Sequence, residues 1–199
     1  MADAPKNNSL EQVIEMLTAD HDKVRLLFRE YKKLMDLDAD ADTRGAIAAQ
    51  ICHELTVHAS IEEQYFYPVA RKAIAEDAEE CMDHADVEHQ SLKRLIADIE
   101  AGHPDDEHYD AMVHVLQEYV AHHVCEEENE MFEELRHAQP NMQTVLRQMI
   151  DAKQSAVQQP KSPASQSKKE GSPARRSKSA ARKQVRTSGS KKRTDKTDA

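Results

Sequence analysis

The sequence predicts an all-α protein: an up-down four-helix bundle with a short appended helix and a disordered basic C-terminal tail. Three observations carry this. The 199 residues include no Trp and only four Gly, while Ala, Leu, Glu, Lys, Asp and Gln abound; few turn formers and many strong helix formers favour helices. Apolar residues recur at alternating spacings of three and four in four successive segments, as on one stripe of a helix. Charge and residue type then change abruptly near Gln158.

The first helix shows its stripe at Ile14, Leu17, His21, Val24, Phe28, Tyr31 and Met35. The second gives Ile51, Leu55, His58, Glu62, Tyr65 and Val69, with Pro68 expected to kink or distort its end. The third spans about 78–101, with Met82, Ala85, His89, Leu92, Ile96 and Ile99 inward; Gly102 is a fitting stop and Pro104 bars continuation. The fourth carries Met112, Leu116, His123, Glu127, Met131 and Leu135. After Pro140 a shorter amphipathic stretch, Val145 to Val157, reads as the appended helix. Short links between helices of this length fit an up-down bundle.

The net charge of −10 conceals a division. Residues 1–151 hold 13 Lys/Arg against 34 Asp/Glu, a net −21, whereas 152–199 hold 14 against 3, a net +11. Beyond Gln158 only Val185 is a sizeable apolar side chain, too little buried surface to offset chain entropy. The expected organisation is a domain over 1–157 and a disordered Lys/Arg/Ser/Pro-rich tail over 158–199. No apolar run is long enough to cross a membrane. The opening MADAPKNNSLEQ has no basic region followed by an apolar stretch, so the expectation is a cytoplasmic protein. Cys52, Cys81 and Cys125 are odd in number and far apart, which predicts buried or half-buried free thiols rather than disulfides.

The two halves of the domain resemble each other. TADHDKVRLLF around His21 matches DVEHQSLKRLI around His89, and HASIEEQYFYP at 58–68 matches HVCEEENEMFE at 123–133. The separations agree too: 37 residues from His21 to His58, and 34 from His89 to His123. Each half is a helix with one histidine on its stripe, followed by a helix with H-x-x-x-E on its stripe. Residues four apart differ by about 40° around a helix and by about 6 Å along it, so they share a face. Folded together, the halves send His21, His58, Glu62, His89, His123 and Glu127 into one core. Unpaired, that set is costly to bury; around two cations it is a ligand sphere of mixed nitrogen and oxygen. Such ligation suits two iron ions, with manganese or zinc as competitors. On the fourth helix His122 is an alternative to His123, but the stripe and the repeat both favour His123. Glu63 and Glu128 read as solvent-facing or outer residues, Tyr65 and Tyr67 as packing, and the remaining histidines as surface residues.

The pattern H … H-x-x-x-E … H … H-x-x-x-E over four helices, spanning roughly residues 9–137, resembles the hemerythrin family and its HHE cation-binding members. The resemblance implies a non-haem di-iron centre with Glu62 and Glu127 bridging and the four histidines terminal. The chain departs from the oxygen carriers of that family, which have two histidines four apart on the third helix; the position four before His89 is Ala85. One protein ligand fewer leaves more coordination positions for exchangeable ligands, so oxygen, nitric oxide or peroxide could bind and be reduced. The expected function is therefore binding or sensing of such a small ligand. The alternatives are an oxidoreductase of the same fold (peroxide decomposition or nitric oxide reduction), iron storage or delivery, and a metal-free structural or DNA-associated bundle. The basic tail could contact nucleic acid without sequence preference, fold back on the acidic domain, or serve solubility; no aromatic residue interleaves its charges for base stacking.

Overall fold

The computed structural model describes residues 8–74 and 79–158. They form five helices: α1 (Asn8–Asp36), α2 (residues 41–73), α3 (Glu79–Ala101), α4 (residues 109–138) and α5 (Gln143–Gln158). The first four are the predicted bundle and α5 is the appended helix, which packs on α1 and α2. Of the predicted tail, 158–199, Gln158 is the last residue of α5 and the rest lies outside the described residues.

Local chemistry sets the ends. α1 stops where Asp38 adopts a left-handed backbone at φ 52°; Asp40 then caps α2, its carboxylate accepting from the Thr43 amide at 2.8 Å. At the end of α3 the Gly102 amide donates to the Asp98 and Ile99 carbonyls. α4 ends on Gln139, also left-handed, whose amide donates to the Leu135 carbonyl at 2.8 Å, and Pro140 follows. The links 37–40 and 102–108 are tied together by Arg44. Its guanidinium donates to Asp110 and to the Pro104 carbonyl, while the Tyr31 hydroxyl donates to the same Asp110.

α2 and α4 are each interrupted once by a π-helical turn, Glu62–Phe66 and Glu127–Met131. Each turn closes with the amide of Tyr67 or Phe132 donating five residues back, to the Glu62 or Glu127 carbonyl. Pro68 follows the first turn, as the expected distortion there required, yet the second has Glu133 at the matching place. Proline is therefore not what the two turns share; a buried glutamate at their first position is. The extra residue shifts the register beyond it. Phe66, Tyr67 and Ala70 are buried where the stripe predicted Tyr65 and Val69, both of which are only half-buried. Met35, predicted on the α1 stripe, is exposed at its end.

The core is two apolar clusters. One gathers Leu10, Val13, Leu17, Phe66, Met82, Phe132, Leu135 and Met149; the other gathers Val24, Phe28, Ile51, Leu55, Leu92, Ile96, Leu116 and Val124. Each large side chain so buried is worth about 1.5–3 kcal/mol. Between them, along every bundle helix, comes a histidine: His21 between Leu17 and Val24, His89 between Ala85 and Leu92. At the far end Gly45 lets α2 approach the α3–α4 link, since a Cβ there would sit 2.7 Å from Pro104 Cγ. We expect Gly45→Val to destabilise the protein by about 1–3 kcal/mol despite valine's better helix propensity. Urea unfolding checks this; an unchanged midpoint would show that the link yields freely.

Candidate metal centre

All six predicted side chains, His21, His58, Glu62, His89, His123 and Glu127, meet in the layer between the apolar clusters and are the buried polar residues of the described chain. His122 points outward and is 66% exposed, whereas His123 is buried. Of the other histidines assigned to the surface, His53 is half-buried and the rest are exposed. Cys52 is buried, and burial pushes its thiol up to about 12, so it stays protonated. Cys125 is exposed, against the expectation of burial.

Two pairs of imidazoles face each other. His21 Nε2 lies 3.2 Å from His58 Nε2, and His89 Nε2 lies 3.1 Å from His123 Nε2. The opposite nitrogen of every ring meets a carboxylate: His21 Nδ1 and Glu128 at 2.8 Å, His58 Nδ1 and Asp20 at 3.3 Å, His89 Nδ1 and Glu63 at 2.9 Å, His123 Nδ1 and Glu88 at 2.9 Å. These partners assign the proton of each neutral ring to Nδ1 and turn four Nε2 lone pairs inward. The glutamates complete the set. Glu62 spans both pairs, Oε1 at 3.0 Å from His58 Nε2 and Oε2 at 3.4 Å from His89 Nε2. Glu127 Oε2 lies 3.3 Å from His21 Nε2 and 3.7 Å from His123 Nε2. Both glutamate side chains are at most 1% exposed, yet Glu62 Oε1, Glu62 Oε2 and Glu127 Oε2 accept no hydrogen bond.

Buried carboxylate oxygens packed against four imidazole nitrogens form an arrangement that positive charge, from protons or a cation, satisfies and an apolar core does not. The donor atoms fall into two groups sharing one residue. One comprises His21, His58, Glu62 and Glu127; the other comprises Glu62, His89 and His123. The residues present thus fit two neighbouring cations.

Sequence reasoning missed two features here. Tyr67, assigned to packing, donates its hydroxyl hydrogen to Glu127 Oε1 at 2.9 Å and lies 3.3 Å from His89 Nε2. Burial and the Glu127 and Glu62 charges push its phenol well above the usual range, so it keeps its proton. Its counterpart in the repeat, Phe132, stacks on His21 at 6.3 Å and carries no hydroxyl. Asp20 and Glu88 were not singled out, although each immediately precedes a stripe histidine, which was the available signal. Of the two places expected for Glu63 and Glu128, facing solvent or lying behind the inner residues, the structure shows the second: they are the partners of His89 and His21. Three of these four carboxylates continue to a surface cation: Asp20 to Lys153, Glu63 to Lys93, Glu128 to Arg25.

On the side of the second apolar cluster the imidazoles border a cavity walled by Val24, Leu55, Leu92, Ile96, Val120 and Val124. It offers ≈ 20 Å³ to the centre of a water-sized molecule, room for about one.

The hemerythrin HHE cation binding domain matches residues 12–157 of the chain. A DNA nickase from Nostoc sp. (strain PCC 7120 / SAG 25.82 / UTEX 2576) is 33% identical over 137 residues, which cover 68% of this chain and 36% of that relative. This chain therefore spans little more than a third of the relative's length. No solved structure matches the chain.

Protons and a cation compete for the same lone pairs. Burial opposes charge on His58 and His123, but Glu62 and Asp20 raise the first to about 10, and Glu127 and Glu88 raise the second to about 9. A histidine whose folded pKa is raised lends stability that is fully present below its unfolded value near 6.5 and is lost as pH climbs through the folded one. The metal-free protein should therefore lose thermal stability as pH rises from about 6.5 to about 10, with little further loss from these rings above that. Metal uptake at pH 7.5 should release protons from these two rings, read as a buffer-dependent calorimetric enthalpy. An enthalpy independent of buffer ionisation would contradict this.

Proposed function

Because the chain belongs to the hemerythrin HHE cation-binding domain family, we propose that the buried His/Glu layer holds two iron ions and that the protein binds or senses oxygen, nitric oxide or peroxide there. The single observation that carries this reading is the set of four inward Nε2 atoms around the donor-free oxygens of Glu62 and Glu127. His21, His58, His89 and His123 would supply the imidazole ligands, and Glu62 and Glu127 the carboxylates, that hold the ions. Glu127 Oε1 accepts from Tyr67 at 2.9 Å, so Oε2 is the oxygen Glu127 would offer. Mixed imidazole and carboxylate donors suit iron, with manganese or zinc as competitors. Iron, when bound, supplies ligand binding and one-electron reduction.

The chain's own residues do the rest. Asp20, Glu63, Glu88 and Glu128 fix the ring tautomers and orient each Nε2 inward. Val24, Val120 and Val124 give the cavity apolar walls around room for about one water-sized molecule, a space suited to a small ligand. Tyr67 holds a proton at its hydroxyl between Glu127 and His89, on the half of the site whose imidazole pair belongs to α3 and α4. That proton favours the oxidoreductase alternative at the same centre, since reduction of peroxide or nitric oxide consumes protons. The residues that carry this site lie within 1–157, which we take as the functional domain.

A second reading concerns residues 158–199. Their basic composition, together with a relative named a DNA nickase, supports non-specific contact with nucleic acid through phosphates. No helix among the described residues is long and apolar enough to cross a membrane.

Metal analysis of aerobically purified protein should return two irons per chain with near-ultraviolet charge-transfer bands. His58→Ala or His123→Ala should abolish the bands, and a chain without stoichiometric metal would end the di-iron reading. Tyr67→Phe should keep both metals. If the phenol donates its proton in turnover, it should also slow peroxide or nitric oxide consumption roughly 10–100-fold in stopped-flow mixing. Stoichiometric spectral change without turnover in the parent protein would identify a binder. For the basic segment, gel shifts with duplex DNA should show retardation of the full chain that weakens steeply with salt and is absent for residues 1–157; equal migration rejects it.

A further inference from the structure

The stretch HHVCEEE at 122–128 contains H-x-x-x-E twice, in adjacent registers: His123 with Glu127 and His122 with Glu126. Neighbouring residues on a helix lie about 100° apart. When the first pair turns into the core, the second must face outward beside it. On that outer face α3 presents Glu88. We propose that Glu88, His122 and Glu126 form a second, surface site for a divalent cation of the borderline class, such as Zn²⁺ or Fe²⁺.

His122 Nε2 lies 3.1 Å from Glu126 Oε1 and 3.6 Å from Glu88 Oε1. One ligand atom from each residue falls within 4.8 Å of the others. Two features set this cluster apart from an ordinary surface ion pair. The carboxylates come from two packed helices and flank one imidazole nitrogen. Glu88 is also held in place from behind, because its Oε2 accepts from His123 Nδ1 at 2.9 Å. The His114–Glu118 pair, about two helical turns upstream, has the same spacing at 3.5 Å, but its glutamate is two-thirds exposed and it belongs to no three-residue group among the described residues. An imidazole and two carboxylates select zinc-like cations over hard ones, and three protein ligands leave room for water, so the bound ion exchanges.

Sharing Glu88 ties this site to the buried layer. A cation at Oε1 draws charge from the oxygen that holds His123 Nδ1, and so weakens the inward donor strength of that ring. The surface site itself stands on its own geometry, whatever the buried layer holds.

The test uses untagged full-length protein stripped of metal and equilibrated with Zn²⁺ by dialysis. Wild type should bind one more Zn²⁺ per chain than either His122→Ala or Glu126→Gln, and His114→Ala should match wild type. The His122 ring nitrogens should shift on Zn²⁺ addition in heteronuclear NMR. Equal stoichiometry in wild type and His122→Ala, or unmoved His122 resonances, overturns the proposal. The Zn²⁺ that His122→Ala retains counts the buried ions separately, so failure of one site is read independently of the other.

Discussion

Everything in this fold answers to two glutamates held dry. Glu62 and Glu127 sit in a layer that water does not reach, and an ionised carboxylate there is tolerable only if positive charge comes to it. The Glu62 carboxyl is held well below the usual range: burial opposes its charge, and His58 beside it prevails. Four imidazoles are the local answer, and they must be held so that lone pairs or protons point inward. That duty passes to Asp20, Glu63, Glu88 and Glu128, and from three of them to Lys153, Lys93 and Arg25 at the surface. Charge alternates outward from the centre in layers. The appended helix has a place in this order, for Lys153 on α5 is the surface cation behind Asp20 and His58.

The repeat makes this arrangement nearly two-fold, and its departures are where function concentrates. Asp20 in the first half serves His58, as Glu88 in the second serves His123. Glu63 and Glu128 cross over, each supporting a histidine of the other half. The symmetry fails at the aromatic position five residues after each glutamate. Phe132 only covers His21, whereas Tyr67 brings a hydroxyl to Glu127 and His89. One half of the centre thus carries a hydroxyl and the other does not, so the two groups of donor atoms are chemically unequal. A second departure lies behind Glu88, where the outward chain ends on His122 instead of a lysine or arginine.

The helices and the six inward residues were legible because burial writes itself into sequence as a stripe, and a charged residue on a stripe is conspicuous. His58 and Glu62 stood out against Ile51 and Leu55 for that reason. The outer carboxylates were harder to read, because an acidic residue off the stripe looks the same whether it meets water or an imidazole. The one signal available was the repeat, which places Asp20 and Glu88 before matching histidines and doubles glutamate at 62–63 and 127–128. Tyr67 was misread for a different reason. A strict helical period excludes it from the inner face, and the sequence before it contains nothing that announces a change of period.

That change of period is what admits Tyr67 to the site. On a regular α-helix the residue five beyond Glu62 lies about 140° away around the axis and would face a neighbouring helix or solvent. A π-helical turn winds by roughly 80° per residue, which carries the fifth residue around to within about 50° of the glutamate. The turns at Glu62–Phe66 and Glu127–Met131 therefore do the same service twice, bringing Tyr67 over His89 and Phe132 over His21. They also explain why the buried positions run 62, 66, 67 and 70 in one helix and 127, 131, 132 and 135 in the other. A turn without proline in α4 shows that proline is not required to form it; an extra residue is accommodated where aromatic rings must close over a polar centre. The two interruptions are thus part of the site's construction, and without them the glutamates would remain inside while the phenol that distinguishes one half from the other would not reach them.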